Sequence, residues 1–218
     1  MAAPMLYPSI MCADPLNIQP VIDTLTPLSA GFHIDLMDNH LVPNLEGGVN
    51  LVNAIANYCD IPMWTHYMVT NPMQLIHNTL IRPRDIVSIH LNSNEDFSAV
   101  FHLLKQKLAL AGLAISPDDD LRQAFDILGL CDHVLVMSVQ PGFAGQQFLE
   151  STYERLRAVC TYKQDTHPTL RVGVDGGVSA KNIAALVAAG AQDIAVGSAL
   201  FGHGNIMHNM RQMIDIIL

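Results

Sequence analysis

The sequence predicts an α/β protein built as a single closed (β/α)8 barrel, and three observations support this fold class. Short apolar segments alternate with helical segments about eight times, which is typical of a parallel sheet. No linker or compositional break interrupts this series along the 218 residues. Half of the residues are hydrophobic and only 14% are charged, as expected for one large core. We therefore expect one barrel domain over residues 1–218, with an open doubly wound sheet as the alternative.

The apolar segments predict eight strands, because each is short, aliphatic and bounded by Gly, Pro, Asn or Asp. The predicted strands are Leu6–Ile10, Phe32–Met37, Met63–Val69, Ile86–His90, Ala109–Ile115, His133–Val139, Arg171–Val174 and Asp193–Val196. In a barrel of this kind the active site lies at the carboxyl ends of the strands. Polar residues at those ends are therefore candidates for function.

Helical segments fill the spaces between the strands. They are Pro20–Leu28, Val49–Tyr58, Pro72–Leu80, Asp96–Leu108, Leu121–Leu128, Phe148–Lys163, Ala180–Ala189 and Ile206–Ile217. Pro72 and Asp96 stand at helix starts, where a missing N–H is harmless and negative charge is favourable. Ser179 predicts the N-cap of the seventh helix, and Gly190 predicts its C-terminal stop.

Composition excludes several classes of partner. The formal net charge is −9 and no Lys/Arg cluster occurs, which argues against nucleic acid but not against a small phosphate ester. We find no signal-peptide pattern and no apolar run near the ~20 residues that span a bilayer. The cysteines are widely spaced without C-x-x-C, so we expect free thiols in a reducing compartment. We expect a cytoplasmic homo-oligomer that acts on a small molecule, away from membranes.

Four side chains near strand ends predict a metal site. His33 and Asp35 alternate along the second strand and therefore share one face of it. His66 lies in the third strand, and Asp175 directly follows the seventh. Two imidazoles and two carboxylates suit Zn²⁺, and also Fe²⁺, Mn²⁺ or Co²⁺. The alternative is that each is a separately satisfied polar group at the barrel mouth.

Two glycine-containing loops predict a phosphate site. Gly176-Gly177 follows the seventh strand, and Gly197-Ser198 follows the eighth. Barrels commonly hold phosphate with these two loops, because glycine lets backbone N–H groups approach the ligand closely.

The segment 141–146 after the sixth strand has two glycines around an aromatic residue, which predicts a mobile lid over the substrate. An ordinary flexible loop is the alternative. Methionines near strand ends predict an apolar floor that keeps water from a reactive carbanion. These are Met37, Met68 and Met137.

With these segments together, the chain resembles the ribulose-phosphate 3-epimerase family. The matching motifs run in the family's order and cover essentially the whole chain. They are Pro8–Asp14, His33–Asp38, His40–Asn44, His66–Val69, Gly112–Pro117, Val136–Gln146, Val174–Val178 and Val196–Phe201. The resemblance implies a TIM barrel of the ribulose-phosphate-binding type and an isomerase of carbohydrate metabolism in the pentose phosphate pathway.

The resemblance also implies residue roles. One divalent ion, with Zn²⁺ favoured, would be held by His33, Asp35, His66 and Asp175. Asp35 and Asp175 would be the acid/base pair. The implied substrate contacts are Ser9, His66, Gly142, Phe143, Ala144, Gly145, Asp175, Gly176, Gly177, Gly197 and Ser198. The reaction would be epimerisation at carbon 3 of D-ribulose 5-phosphate through an enediolate, for which a carboxylate on each face of the carbon is suitable.

Some positions differ from the usual family pattern and leave the exact sugar phosphate open. They are Asn39 for Gly, Leu41 for Phe, Tyr67 for Leu or Met, Asn92 for Glu, and Glu46–Gly48 for a more apolar segment. The same reaction on D-allulose 6-phosphate is one alternative, and a non-catalytic relative is another. A metal-free decarboxylase or aldolase on a related barrel is disfavoured, because the run Asp35–Asp38 lacks the lysine that such enzymes carry at this strand end.

Overall fold

The protein is described here by a computed structural model that covers residues 4–202 and 204–218. Within these residues the chain forms a sheet of nine strands in the order β1-β9-β8-β7-β6-β5-β4-β2-β3. The strands are β1 (Met5–Pro8), β2 (Phe32–Asp38), β3 (Leu45–Glu46), β4 (Met63–Met68), β5 (Ile86–His90), β6 (Leu110–Ile115), β7 (His133–Met137), β8 (Arg171–Asp175) and β9 (Asp193–Val196).

The sheet closes into a barrel. A parallel bridge between Ser9 and His33 joins the end of β1 to β2, and the N–H of Ala30 donates to the carbonyl of Leu6 at 3.0 Å. Only the short β3 is antiparallel among the described strands, and it pairs with the end of β2. The predicted barrel is therefore confirmed, and the open doubly wound sheet is wrong.

Helices cover the outside of the barrel. The described residues contain α1 (Ile18–Leu25), α2 (Val49–Tyr58), α3 (Pro72–Ile76), α4 (Phe97–Gln106), α5 (Leu121–Leu128), α6 (Thr152–Thr166), α7 (Ile183–Ala188), α8 (Ser198–Phe201) and α9 (Ile206–Ile217). The main core lies between strands and helices, and Phe32, Ile34 and Leu36 of β2 belong to it. No helix in this part of the chain has the length and apolarity needed to cross a bilayer.

Several local predictions are confirmed. Asp96 caps α4, because its side chain accepts from the N–H groups of Ser98 and Ala99 at 2.9 and 3.3 Å. Pro72 is the first residue of α3. Asn39 has φ of 58°, the left-handed conformation expected where the family has glycine.

Other boundaries were predicted wrongly, for tertiary reasons. The cap of α7 is Asn182 rather than Ser179, since residues 179–182 form a separate turn in which the Asn182 N–H donates to the Ser179 carbonyl. Helix α6 begins at Thr152, because the Leu149 N–H instead donates to the Ser138 carbonyl at 2.9 Å.

The amino-terminal end of the barrel is closed by aromatic rings and a buried ion pair. The rings of Trp64 and His133 meet edge to face at 4.9 Å. Next to them Asp193 is fully buried and accepts from Arg171 Nε and Nη2 at 2.9 and 2.5 Å. Burial raises the pKa of Asp193, but His133 and Arg171 outweigh it and leave this pKa below its usual value.

Gly173 in β8 makes room for this packing. A Cβ atom there would lie 2.7 Å from both His133 Cε1 and Trp64 Cη2. We predict that Gly173→Ala lowers the free energy of unfolding by about 1–3 kcal/mol, because the rings must move in a filled interior. Urea unfolding followed by circular dichroism measures this change.

Gly129→Ala is the matched control. Gly129 has φ of −62°, and the nearest atom to an added Cβ is the Tyr162 hydroxyl at 3.8 Å. This control should leave stability unchanged or raise it by about 0.4–1 kcal/mol. Equal unfolding midpoints for the two variants would contradict the packing argument.

Candidate active site

The predicted metal ligands, which lie on β2, β4 and β8, come together in one cluster. His33, Asp35, His66 and Asp175 each offer a ligand atom, and these atoms all lie within 4.8 Å of one another. Nδ1 of His66 is 2.9 Å from Asp35 Oδ1 and 4.0 Å from Asp175 Oδ2. Asp35 and His66 are partners in the parallel β2–β4 register, which sets them at the same level of the barrel.

The two carboxylates have unequal proton affinities. Burial raises the pKa of Asp35, but the imidazoles of His33 and His66 outweigh this and leave that pKa below its usual value. Burial also raises the pKa of Asp175, and the neighbouring charge of Asp35 adds to this, so its pKa stays above its usual value.

The donor set fits a divalent cation. His33 and His66 are fully buried, and Nε2 of His33 has no hydrogen-bond partner among the described residues. The other ring nitrogen of His33, Nδ1, lies 3.9 Å from Asp35 Oδ1 in the cluster. Two imidazole nitrogens and two carboxylate oxygens match Zn²⁺ and related ions. The four groups converge instead of being satisfied separately, and their role as metal ligands stays a prediction.

A pocket opens above this cluster. It contains every predicted substrate contact except His66, which lies buried beneath the pocket floor. The predicted residues in its lining are Ser9, Asp35, Gly142, Phe143, Ala144, Gly145, Asp175, Gly176, Gly177, Gly197 and Ser198. The predicted methionines Met37, Met68 and Met137 also line it, together with Met11. The glycine loops, the lid segment and the two carboxylates therefore face one space.

The lid segment 141–146 is held over the pocket by polar contacts. Asn44 Nδ2 donates to the Gly142 carbonyl at 2.8 Å, which ties the segment to the loop after β2. Gln146 Nε2 donates to the carbonyls of Gln140 and Phe143 at 2.6 and 2.8 Å. Gly142 and Gly145 have φ of 121° and 76°, which glycine adopts without strain. The Asn44 contact is part-buried and the two Gln146 contacts are local to this stretch of chain, and the lid role of the segment stays a prediction.

Cys12 and His90 lie in or beside the site without having been predicted from the sequence, and Glu46 was named only as a departure from the family pattern. Cys12 lines the pocket, and burial with the nearby carboxylates raises the pKa of its thiol to about 12. Glu46 adds a third carboxylate, whose pKa is raised by burial and by Asp35. His90 is buried, with Nε2 at 2.8 Å from Nε2 of His66. The feature of the sequence that could have indicated a role for His90 is its position at the end of a predicted strand.

Comparison with known proteins gives the family. The model of the ribulose-phosphate 3 epimerase family matches residues 5–201. The chain is 33% identical over 215 residues to ribulose-phosphate 3-epimerase of Aquifex aeolicus, covering 98% of this chain and 97% of that protein. The chain belongs to the ribulose-phosphate 3-epimerase family. It is therefore an isomerase, and more specifically an epimerase that acts on carbohydrates, as the sequence predicts.

Further comparisons agree with this family. Ribulose-phosphate 3-epimerase of Serratia marcescens is 36% identical over 202 residues, covering 91% of this chain and 95% of that protein. The solved structure of 3-keto-L-gulonate-6-phosphate decarboxylase from Vibrio cholerae has a TM-score of 0.70 at 10% identity, covering 100% of both chains. This similarity shows the barrel fold.

The departures from the family pattern lie mostly outside the pocket. The Tyr67 hydroxyl donates to Thr79 Oγ1 at 2.8 Å within the buried core, and Asn92 is exposed. Leu41 packs against Met37, Val42 and Met68. Of these positions, Glu46 alone is part of the pocket lining. The substitutions leave the epimerase cluster intact.

Zn²⁺ binding should stabilise the chelator-treated protein. At a free concentration one hundred times Kd, we predict a gain of about 2.7 kcal/mol, or a rise in Tm of about 5–10 °C. His33→Ala removes one of the four predicted ligands and should abolish most of this rise. His102→Ala, at an exposed position on α4, is the control and should keep the full rise. Differential scanning calorimetry measures it, and equal shifts in both variants would contradict the assigned ligands.

Proposed function

We propose that the protein is a metal-dependent 3-epimerase that interconverts D-ribulose 5-phosphate and D-xylulose 5-phosphate. The observation that carries the proposal is the approach of Asp35 and Asp175 in one cluster at the base of the pocket. They come from β2 and β8, which are separated on one side by β1 and β9. The two carboxylates therefore reach a bound substrate from different directions. Family membership supports the same reaction.

Inversion next to a ketone requires a proton to leave from one face of the carbon and another to arrive on the opposite face. Two carboxylates that approach from different directions are suited to this, since each acts as a base in one direction and as an acid in the other. In the absence of a metal ion, burial and the charge of Asp35 raise the pKa of Asp175, whereas at Asp35 burial is outweighed by the neighbouring imidazoles, which lower its pKa, so the two carboxylates differ in their surroundings.

His33, Asp35, His66 and Asp175 would hold the metal ion. When bound, such an ion stabilises negative charge on the substrate oxygens without any redox change. The two histidines have no contact with the pocket and would serve only to hold the ion. Met37, Met68 and Met137 keep the surroundings of the reacting carbon apolar, and the lid segment excludes water when it lies over the pocket.

Backbone groups would bind the phosphate. No lysine or arginine of the described residues lines the pocket. Gly176-Gly177 and Gly197-Ser198 offer N–H groups, and the first N–H groups of α8 have no partner within that helix. The proposal places the enzyme in the pentose phosphate pathway; its cytoplasmic location, its homo-oligomeric state and its single domain over residues 1–218 stay predictions.

Glu46 favours a second candidate substrate. Its carboxylate lines the pocket where the family pattern is more apolar, and a carboxylate accepts hydrogen bonds from hydroxyl groups. A ketose phosphate with one more hydroxyl, such as D-allulose 6-phosphate, would therefore gain a contact.

Loss of either carboxylate should stop inversion. We predict that Asp35→Asn and Asp175→Asn each lower kcat for epimerisation by about 10²–10⁴-fold, because one face of the carbon then lacks a proton carrier. In ²H₂O each variant should still exchange the carbon-3 proton of one epimer only, as followed by NMR. Metal content is measured first, so that weaker metal binding is recognised.

Asp126→Asn, on the exposed face of α5, is the control carboxylate variant. It should retain wild-type kcat. Near-normal epimerisation by Asp35→Asn or Asp175→Asn would overturn the two-carboxylate assignment.

Substrate preference is tested by kcat/KM for D-ribulose 5-phosphate and D-allulose 6-phosphate on the Zn²⁺-loaded protein. We predict the higher value for the pentulose. Glu46→Gln should raise the pentulose-to-hexulose ratio if Glu46 binds the extra hydroxyl. We expect a change of about 10–150-fold, which corresponds to one charged hydrogen bond of about 1.5–3 kcal/mol. Turnover of neither substrate would favour a non-catalytic relative.

A further inference from the structure

A buried chain of polar side chains leads from the cluster into the barrel wall. Nε2 of His66 lies 2.8 Å from Nε2 of His90, and Nδ1 of His90 lies 3.2 Å from Ser116 Oγ. The three side chains come from the ends of β4, β5 and β6 and are all buried. The reaction proposed above gives His90 and Ser116 no role.

The two imidazoles meet through their nitrogens. Their ring centres are 4.9 Å apart and their planes are inclined by 27°. The nitrogen–nitrogen distance of 2.8 Å is much shorter than the separation of the centres. The rings therefore point at each other with nearly parallel planes, which is the arrangement of an N–H···N hydrogen bond.

Proton counting along this chain gives one consistent arrangement for a metal-loaded site. Nδ1 of His66 faces Asp35 and Asp175, so its lone pair is the one directed at the cluster. A neutral imidazole has a single N–H, which His66 must then carry on Nε2. Nε2 of His90 must accept that proton, and His90 carries its own on Nδ1. That N–H points at Ser116 Oγ, which accepts it.

The reverse arrangement would disable His66 as a ligand. If His90 carried its proton on Nε2, then Nε2 of His66 would have to accept. His66 would carry its proton on Nδ1, 2.9 Å from Asp35 Oδ1, with no lone pair left for a metal. The tautomer of His90 therefore decides whether His66 can bind an ion.

We propose that His90 is a positioning residue, supported by Ser116, that accepts the Nε2 proton of His66 and so directs the Nδ1 lone pair of His66 to the metal. This inference rests on the metal site of the proposed function. It concerns a second layer of contacts, because neither His90 nor Ser116 belongs to the cluster or the pocket lining.

Substitutions at His90 separate acceptance of this proton from simple packing. His90→Gln keeps a carbonyl acceptor for His66 and an amide donor for Ser116, whereas His90→Leu has neither. We expect His90→Leu to raise the Kd for Zn²⁺ by about 10–100-fold. His90→Gln should recover most of this loss, and Ser116→Ala should weaken binding less than His90→Leu. Competition with a chromophoric chelator gives each Kd.

Tautomers are read directly in the wild-type protein. With ¹⁵N-labelled histidine and bound Zn²⁺, two-bond ¹H–¹⁵N spectra should place the proton of His66 on Nε2 and that of His90 on Nδ1. A proton on Nε2 of His90, or wild-type Zn²⁺ affinity in His90→Leu, would overturn the inference. Wild-type protein that binds no Zn²⁺ would overturn the metal role of the proposed function instead.

Discussion

The site depends on the contact between Asp35 and His66, because it joins two buried ionisable side chains in the interior of the barrel. Along β2 the apolar Phe32, Ile34 and Leu36 pack outward against the helices, so the intervening side chains must turn inward. The parallel register with β4 then places His66 beside Asp35 at 2.9 Å. Burying these groups is costly, and the cost is offset only where they satisfy one another or bind a common cation.

The buried carboxylates at the two ends of the barrel have different partners. At the amino-terminal end, Asp193 has a permanent cation, since Arg171 donates to both of its oxygens. At the carboxyl end, Asp35 and Asp175 have imidazoles but no lysine or arginine among the lining residues that the structure describes. The first arrangement is self-contained and supports stability. The second is short of positive charge, which is the property that distinguishes a metal site from a structural ion pair.

The fold could be predicted from the sequence wherever the local pattern alone determines the structure. The strands at 86–90 and 193–196 and the helices at 49–58 and 121–128 have their predicted bounds. Long-range contacts determine other element boundaries. For example, the Leu149 N–H donates to the Ser138 carbonyl, so α6 begins later in the chain than predicted. The cluster was predictable because ligand residue types recur at strand ends. Glu46 was predicted only as a departure that leaves the sugar phosphate open, and it reaches the pocket lining from the two-residue strand β3. His90 was missed, because its contact with the cluster is through another ring.

The shortage of positive charge also bears on how two carboxylates can work at neutral pH. Two unit charges about 4–5 Å apart repel by roughly 3–4 kcal/mol at the effective dielectric constant of about 20 used for protein sites. The raised pKa of Asp175 is one consequence of burial and this repulsion. A divalent cation in the cluster would lower the pKa of both groups and admit a phosphate ester beside them. Charge balance therefore links metal binding, proton transfer and substrate binding.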